Sequence, residues 1–123
     1  MTVICTDKTG TLTKSEMQVV DVYADQVSYD VHEKDSAQQI SQTLLEISIG
    51  CNKAGYGRDS SGKEQLFGDP TEIGLLKFAE YMNCKKSDLE SQYPVILEFP
   101  FDSERKRMSI VRNHGTFVRS YVK

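Results

Sequence analysis

The last quarter of the sequence constrains the fold most, because it holds three β-prone runs separated by short turns. The runs are PVILEFPF, RMSIVRN and TFVRSYVK, which begin at Pro94, Arg107 and Thr116. The last two are joined by His-Gly at positions 114–115, a hairpin signal. Strands that follow one another through turns this short pair antiparallel. This part of the chain therefore predicts an antiparallel sheet.

Two helices are predicted upstream. The first begins at a capping box formed by Ser36 and Gln39 and runs for about 15 residues, ending between Asn52 and Gly55. Its apolar residues recur at helical spacing and are Ile40, Leu44, Ile47 and Cys51.

The second helix has the clearest start signal in the chain. Asp69 is the predicted N-cap, and Pro70 occupies the first helical position, where proline is tolerated. An apolar stripe follows, made of Leu75, Phe78, Ala79 and Met82.

Two other segments complete the assignment. Residues 17–31 hold two β-prone runs separated by Ala-Asp, which predicts a hairpin. Residues 53–64, KAGYGRDSSGKE, have no apolar periodicity and are predicted to be an exposed loop. Together with the helices, these strands predict an α+β fold, a two-layer sandwich in which a twisted antiparallel sheet is flanked by helices.

Length and composition narrow the class of protein. A chain of 123 residues fits one domain, and 38% hydrophobic with 27% charged residues is typical of a water-soluble globular protein. The net charge of −3 argues against nucleic acid as a partner. The three cysteines form no CxxC pair, so neither a disulfide framework nor a zinc site is predicted. No apolar run approaches the roughly 18 residues of a transmembrane helix.

The N-terminal segment carries the chemistry. A short apolar run over residues 2–5 precedes Asp7, and Thr9, Gly10 and Thr11 follow closely. An aspartate carboxylate can attack phosphorus and form an aspartyl phosphate, provided that hydroxyls, backbone amides and Mg²⁺ hold the phosphoryl oxygens. The alternative is an ordinary β-turn, because Asp-Lys-Thr-Gly is good turn chemistry.

The seven residues DKTGTLT, at positions 7–13, resemble the phosphorylation signature of the P-type ATPases, the ion pumps that pass through an aspartyl phosphate. The resemblance implies that Asp7 is the phosphorylated residue. It also implies that Thr9 helps to hold the phosphoryl group, and that Asp7 and Thr9 bind Mg²⁺ together with residues of the haloacid-dehalogenase-like phosphorylation domain.

Three later segments extend the resemblance to nearly the whole chain. FGDPTEIGLL at 67–76, FPFDSERKRMS at 99–109 and YVK at 121–123 are similar to motifs of the family's nucleotide-binding domain. The second is most similar to the calcium-pump branch.

The resemblance assigns a role to four side chains. Glu72 would accept a hydrogen bond from the adenine amino group, and Phe101 would stack on the adenine. Lys106 would contact the phosphates or ribose, and Lys123 would lie at the base of the adenine pocket. Ser103 departs from the family pattern, since many calcium pumps have arginine there.

Simpler interpretations stand beside these roles. Phe101 could be a core residue, since it shares strand parity with Val95, Leu97 and Phe99, although Pro100 could turn it outward. Glu72 could be the capping-box partner of Asp69, and Lys106 an ordinary solvated lysine. Arg105 or Arg107 could compensate for Ser103.

Neither an apparent phosphate-binding loop nor the two histidines are expected to carry a function. Residues 57–64 have the glycine and lysine spacing of a Walker A loop, but Glu64 stands where a Mg²⁺-binding hydroxyl is required. His32 and His114 lack ligand spacing and are expected at the surface.

The resemblance implies a pump fragment: residues 1–14 as a stub of the phosphorylation domain, and residues 15–123 as the nucleotide-binding domain. The parent would be a cation-transporting ATPase, and this part would be a cytoplasmic domain with the phosphorylation, actuator and membrane domains as partners. We expect weak ATP binding without turnover, because the family's later catalytic motifs do not occur in the chain. The alternatives are a stand-alone haloacid-dehalogenase-like phosphatase that uses Asp7, and a non-catalytic interaction module.

Overall fold

The computed structural model describes residues 3, 5–6, 14–33 and 39–123 of the chain. The described strands are β1 Asp21–Ala24, β2 Val27–Asp30, β3 Gly55–Arg58, β4 Glu64–Phe67, β5 Val95–Asp102, β6 Arg107–Asn113 and β7 Val118–Val122. The described helices are α1 Gln42–Gly50, α2 Pro70–Tyr81 and α3 Lys86–Gln92.

The strands form three small antiparallel sheets. β1 pairs with β2, β3 pairs with β4, and β5, β6 and β7 form a three-stranded sheet in chain order. The α+β class and the antiparallel pairing are thus confirmed. The division into separate sheets is a feature that the sequence did not reveal.

Helix α1 lies at the centre of the packing. It contacts α2, α3 and β7, and its buried residues Leu45 and Ile49 belong to two different core clusters. Its C-cap, Cys51, belongs to a third cluster with residues of β6 and β7. One short helix therefore joins the β1–β2 hairpin, the other helices and the three-stranded sheet.

Helix α2 is confirmed, whereas the predicted start of the first helix is wrong. The Asp69 carboxylate accepts a hydrogen bond from the amide of Thr71 at 2.9 Å, as an N-cap should, although the buried leucine of α2 is Leu76 rather than Leu75. The N-cap of α1 is Ser41, whose hydroxyl accepts from Leu44 at 3.4 Å. Ser36 lies outside the described residues.

The predicted loop at 53–64 is wrong, because this segment contributes to a hairpin. Two physical features order it. The Asp59 carboxylate accepts hydrogen bonds from the amides of Ser61 and Lys63 at 2.8 and 3.0 Å, which closes the turn. The Phe67 ring lies over Gly57, where a Cβ would come within 2.9 Å of it. The glycine thus makes room for the aromatic ring that covers this hairpin.

The first hairpin is confirmed, but its turn is one residue later than predicted. The turn residues are Asp25 and Gln26, which both have positive φ, at 51° and 65°. Positive φ at both central positions is the pattern of a type I′ turn, which suits two-residue hairpins.

Helix α3 has no counterpart in the sequence predictions. Its N-cap, Lys85, makes no side-chain capping bond, and Leu89 is its only buried residue. A helix without a cap or an apolar stripe leaves no local signal, and packing of Leu89 against α1 and α2 stabilises it instead.

The three-stranded sheet has one covered and one open face. Met108, Ile110 and Arg112 of β6 point toward α1 and are buried, and Tyr121 of β7 lies beside Ile110. The alternate residues of β6 and β7, with their partners Leu97 and Phe99 on β5, form the open face. All three strands are confirmed at close to their predicted bounds.

Candidate functional site

Glu72 lies at the centre of the candidate site, where it contacts two other segments of the chain. It lies in the first turn of α2 and is only 7% exposed. Its Oε2 accepts a hydrogen bond from the backbone amide of Lys53 at 3.1 Å, and its Oε1 accepts one from Lys123 Nζ at 2.5 Å. Both oxygens therefore bind groups outside α2, and the capping-box interpretation is wrong. Glu72 links α2 to the turn after α1 and to the end of β7.

Lys123 is held by its backbone as well as by its side chain. Its amide donates to the Met108 carbonyl at 3.0 Å, and the Met108 amide donates to the Lys123 carbonyl at 2.9 Å. The pairing of β6 with β7 therefore extends to the last residue. This pairing fixes the position from which the Lys123 ammonium reaches Glu72.

A second ion pair, which the sequence did not suggest, adjoins the first. Lys53 Nζ lies 2.5 Å from Glu98 Oε1 on β5. The hydrogen bond to Glu98, and then the charge of Glu98, raise the pKa of the Lys53 ammonium above its ordinary value. Lys53 thus contacts the site twice, through its amide to Glu72 and through its ammonium to the sheet. The partners are 45 residues apart, so no local pattern could have found them.

Cys51 lies beneath these pairs. It is buried, and its thiol donates to the Met108 carbonyl with a sulfur–oxygen distance of 3.7 Å. Burial raises the pKa of the Cys51 thiol, and the positive charge of Lys123 opposes that shift. The thiol is therefore a neutral part of the site's floor.

Phe101 is on the surface rather than in the core. Its side chain is 63% exposed near the end of β5, and Val95, Leu97 and Phe99 are exposed as well, so the core interpretation is wrong. Pro100 lies within the strand without ending it. β5 is an edge strand, where a missing amide donor is tolerated, and the register with β6 shifts between Phe99 and Asp102. An exposed aromatic ring is available to stack on a planar ligand.

Lys106 lies in the tight turn that joins β5 to β6. Its backbone has a positive φ of 53°, and its amide donates to the Asp102 carbonyl at 2.7 Å. The Asp102 carboxylate accepts from the amides of Glu104 and Arg105 at 3.0 and 2.8 Å. The turn therefore presents Lys106 from a well-bonded backbone.

The two arginines near Ser103 differ in whether their side chains bond to their own turn. Arg105 folds back on its own turn, where it donates to the Pro100 carbonyl at 3.2 Å. Arg107 is exposed at the start of β6, opposite Asp102. Of the two proposed substitutes for the family arginine, Arg107 is the one without such a bond back to this turn.

The strand register of the β5–β7 sheet brings the predicted nucleotide-binding residues to one end of that sheet. β5 ends at Asp102, next to Phe101, and β6 begins at Arg107, next to Lys106. β7 ends at Val122, and Lys123 after it exchanges backbone hydrogen bonds with Met108. Glu72 joins this end through Lys123. Two cavities among the described residues lie away from this end of the sheet: one of about 540 Å³ between the segment around Met17 and α2, and one of about 570 Å³ beside Tyr56 and α3.

Asp7 and Thr9 lie outside the described residues. Within the described part of the chain, no group of three His, Cys, Asp or Glu side chains could hold a metal ion.

The structure also tests the two motifs to which no function was assigned. Residues 57–64 form a hairpin rather than a phosphate-binding loop, and His32 is exposed as predicted.

The prediction of a surface position holds only in part for His114. Its side chain is half-buried, and its ring stacks between Tyr93 and Phe117 at centroid distances of 3.8 and 5.1 Å. It lies in the β6–β7 turn, at the opposite end of the sheet from the site.

The family model of the P-type ATPase cytoplasmic domain N matches residues 41–123. The chain belongs to the P-type ATPases. It is 38% identical over 123 residues to calcium-transporting ATPase 1 of Bacillus cereus, a match that covers 100% of this chain and 13% of that protein. It is 40% identical over 112 residues to calcium-transporting ATPase 1 of Lactococcus lactis, covering 90% of this chain and 12% of that protein.

The similarity extends beyond bacteria. Calcium-transporting ATPase PAT1 of Dictyostelium discoideum is 35% identical over 126 residues, covering 99% of this chain and 11% of that protein. The resemblance drawn from the motifs is thus confirmed, and the chain spans between 11 and 13% of the length of these P-type ATPases. Among the described residues, no helix has the length and apolar character needed to cross a membrane.

Proposed function

We propose that this chain is the ATP-binding part of a P-type cation-transporting ATPase and that it presents ATP to Asp7. Residues 15–123 form the nucleotide-binding domain, and residues 1–14 belong to the phosphorylation domain. The whole protein couples ATP hydrolysis to ion transport, with calcium as the proposed ion because the relatives are named for it. Its phosphorylation, actuator and membrane domains are the proposed partners.

The observation that carries this proposal is the junction of Glu72 with Lys123 at the end of the sheet that exposes Phe101. The junction offers an acceptor and a donor side by side, which is what the polar edge of a nucleobase requires. The Lys123 ammonium also neutralises Glu72, so the carboxylate does not repel the phosphates of a nucleotide.

Phe101 and Lys106 supply the other contacts. Stacking of a base on the Phe101 ring is worth about 1–3 kcal/mol. Lys106, on the rigid turn beside it, supplies a positive charge for the phosphates. A surface site of this kind should bind ATP with an affinity of about 0.1 to 1 mM, once the entropy of association is subtracted.

In the whole protein, Asp7 would attack the γ-phosphate. Mg²⁺, held by Asp7 and Thr9 with further residues of the phosphorylation domain, would neutralise the phosphoryl oxygens. This chain supplies the nucleotide contacts and is expected to bind ATP without turning it over.

The test is an amide chemical-shift titration with ATP, without Mg²⁺, up to about 10 mM. We expect saturating shifts centred on Glu72, Phe101, Lys106 and Lys123, with Asp7 silent. Phe101→Ala should weaken binding at least several-fold and leave the fold intact. Phe117→Ala is the matched control, because Phe117 is a similarly exposed ring at the opposite end of the same sheet.

Two results would contradict the proposal. Equal loss of binding in the Phe101 and Phe117 variants would place the nucleotide elsewhere. Hydrolysis of a phosphate ester by the chain, abolished in Asp7→Asn, would identify a stand-alone phosphatase instead.

A further inference from the structure

We infer that Asn52 is a positioning residue of the nucleotide site, which acts by fixing Glu72. This inference rests on the function proposed above. The sequence patterns did not single out Asn52, because it lies between a helix and a hairpin and belongs to none of the recognised motifs.

The Asn52 side chain is 2% exposed and uses both ends of its amide. Its Nδ2 donates to the carbonyl of Ser48 at 3.1 Å and to the carbonyl of Glu72 at 2.8 Å. Its Oδ1 accepts from the amide of Ala54 at 2.8 Å. One side chain therefore bonds the last turn of α1, the turn that follows it and the first turn of α2.

These hydrogen bonds fix the position of Glu72 in two ways. Asn52 fixes the backbone of Glu72 directly, through the Glu72 carbonyl. It also closes the turn from residue 52 to 54, and the amide of Lys53 inside that turn donates to Glu72 Oε2 at 3.1 Å. Oε2 is thereby held toward the turn, and Oε1 is left to face Lys123 at 2.5 Å.

The consequence is a carboxylate whose orientation is set before any ligand arrives. Groups that are preorganised in this way bind with less loss of conformational entropy than groups that must be ordered on binding. If Asn52 is removed, the turn can relax and Glu72 can rotate. We therefore expect a weaker contact with the base and no change in the contacts with the phosphates.

The experiment compares two probes on the full chain, ATP and inorganic tripolyphosphate. Asn52→Ser is the main variant, because serine keeps a turn-forming oxygen for the Ala54 amide but lacks the amide donor to the Glu72 carbonyl. We expect ATP affinity to fall about three- to tenfold, a loss typical of one polar contact, with tripolyphosphate affinity unchanged.

The matched control is Ser48→Ala. The Ser48 hydroxyl donates to the Leu44 carbonyl at 2.9 Å, so this change removes a partly buried hydrogen bond from the same helix end and leaves the hydrogen bonds of Glu72 in place. We expect it to leave the affinities for both probes unchanged.

A double-mutant cycle with Glu72→Gln separates positioning from a general loss of structure. If Asn52 acts through the Glu72 carboxylate, Asn52→Ser should change ATP affinity by less than about twofold in the Glu72→Gln background. Equal and additive losses in both backgrounds would overturn the inference and leave the proposed function standing. Failure of the unaltered chain to bind ATP would instead overturn the proposed function, and this inference with it.

Hydrogen exchange of the unaltered chain provides a test that does not depend on any variant folding. ATP should slow the exchange of the Lys53 and Ala54 amides, and tripolyphosphate should not. Unchanged exchange at both amides under saturating ATP would show that the turn held by Asn52 takes no part in binding.

Discussion

The two faces of the β5–β7 sheet are built from the same strands and differ sharply in their surroundings. On the covered face, Met108, Ile110 and Tyr121 pack with Cys51 under the end of α1. On the open face, the alternate residues include Leu97, which is 54% exposed and lies opposite Val111. Apolar composition is similar on both faces, so composition does not decide which face is buried.

The covered face also contains a buried arginine, whose hydrogen bonds hold the sheet against two helices. Arg112 is 1% exposed and donates to the carbonyls of Gly50 and Tyr93, each at 3.1 Å. These carbonyls lie at the ends of α1 and α3, where helix carbonyls lack partners and the helix dipole favours a positive charge. The sheet is therefore fastened to both helix ends by a single guanidinium group. The proposed nucleotide-binding residues lie at one end of this sheet, where β5 ends and β6 begins.

The largest effect is expected for Arg112→Leu. The change leaves the carbonyls of Gly50 and Tyr93 buried without their donor, and we expect the free energy of unfolding to fall by about 3 kcal/mol. Urea denaturation measures this change. Arg107→Leu, on the same strand but exposed, is the control, and we expect it to stay within about 0.5 kcal/mol of the unaltered chain. Similar losses in the two variants would remove the distinction between the faces.

Gly50→Ala probes the closeness of α1 to the covered face. A Cβ at Gly50 would lie 2.6 Å from Cδ1 of Tyr121, so the ring or the helix must move. We expect a loss of about 1 to 2 kcal/mol, in which overpacking outweighs the better helix propensity of alanine. Gly55→Ala has open space around the added methyl group and should be neutral or slightly stabilising. In thermal melts, Gly50→Ala should therefore lower the melting temperature, and Gly55→Ala should leave it unchanged or raise it slightly.

Leu97→Ala tests the open face. Because Leu97 is more than half exposed, we expect truncation to lower the free energy of unfolding by less than about 1 kcal/mol, well below the cost of the same change in a packed core. Ile110→Ala on the covered face is the comparison, with an expected loss of about 2 to 3 kcal/mol. A Leu97 loss as large as the Ile110 loss would mean that something covers the open face in solution.

The elements predicted correctly are those with strong local signals. The Asp69-Pro70 pair marked the start of α2, and the β-prone runs from Pro94 onward marked β5, β6 and β7. The prediction of a loop at 53–64 is wrong because the order of this segment comes from the Phe67 ring and the Asp59 carboxylate, whose contacts leave no periodic pattern in the sequence.

The candidate site shows the same limit. The motif resemblance named Glu72 and Lys123, but their pairing spans 51 residues and only the fold could show it. Asn52 and the Lys53–Glu98 pair leave no sequence signal for the same reason, since each depends on segments that meet only after folding.

The smallest effect on stability is expected for His114, in the β6–β7 turn at the end of the covered face. Its ring stacks between Tyr93 and Phe117, and its Nε2 lies 3.2 Å from the Tyr121 hydroxyl oxygen. Burial, and then the positive charge of Arg119, lower the pKa of His114 below its ordinary value. The folded state thus favours the neutral ring, so its stabilisation is present above about pH 6.5 and is lost as the pH falls through the lowered pKa.

We therefore expect the melting temperature of the unaltered chain to fall between pH 7 and pH 5 by more than that of His114→Phe, which keeps an aromatic ring in the stack but cannot be protonated. Thermal melts at the two pH values measure the difference. An equal fall in both proteins would show that protonation of His114 does not oppose the stack. The covered face would then end at Tyr121, with His114 belonging to the solvated edge of the sheet.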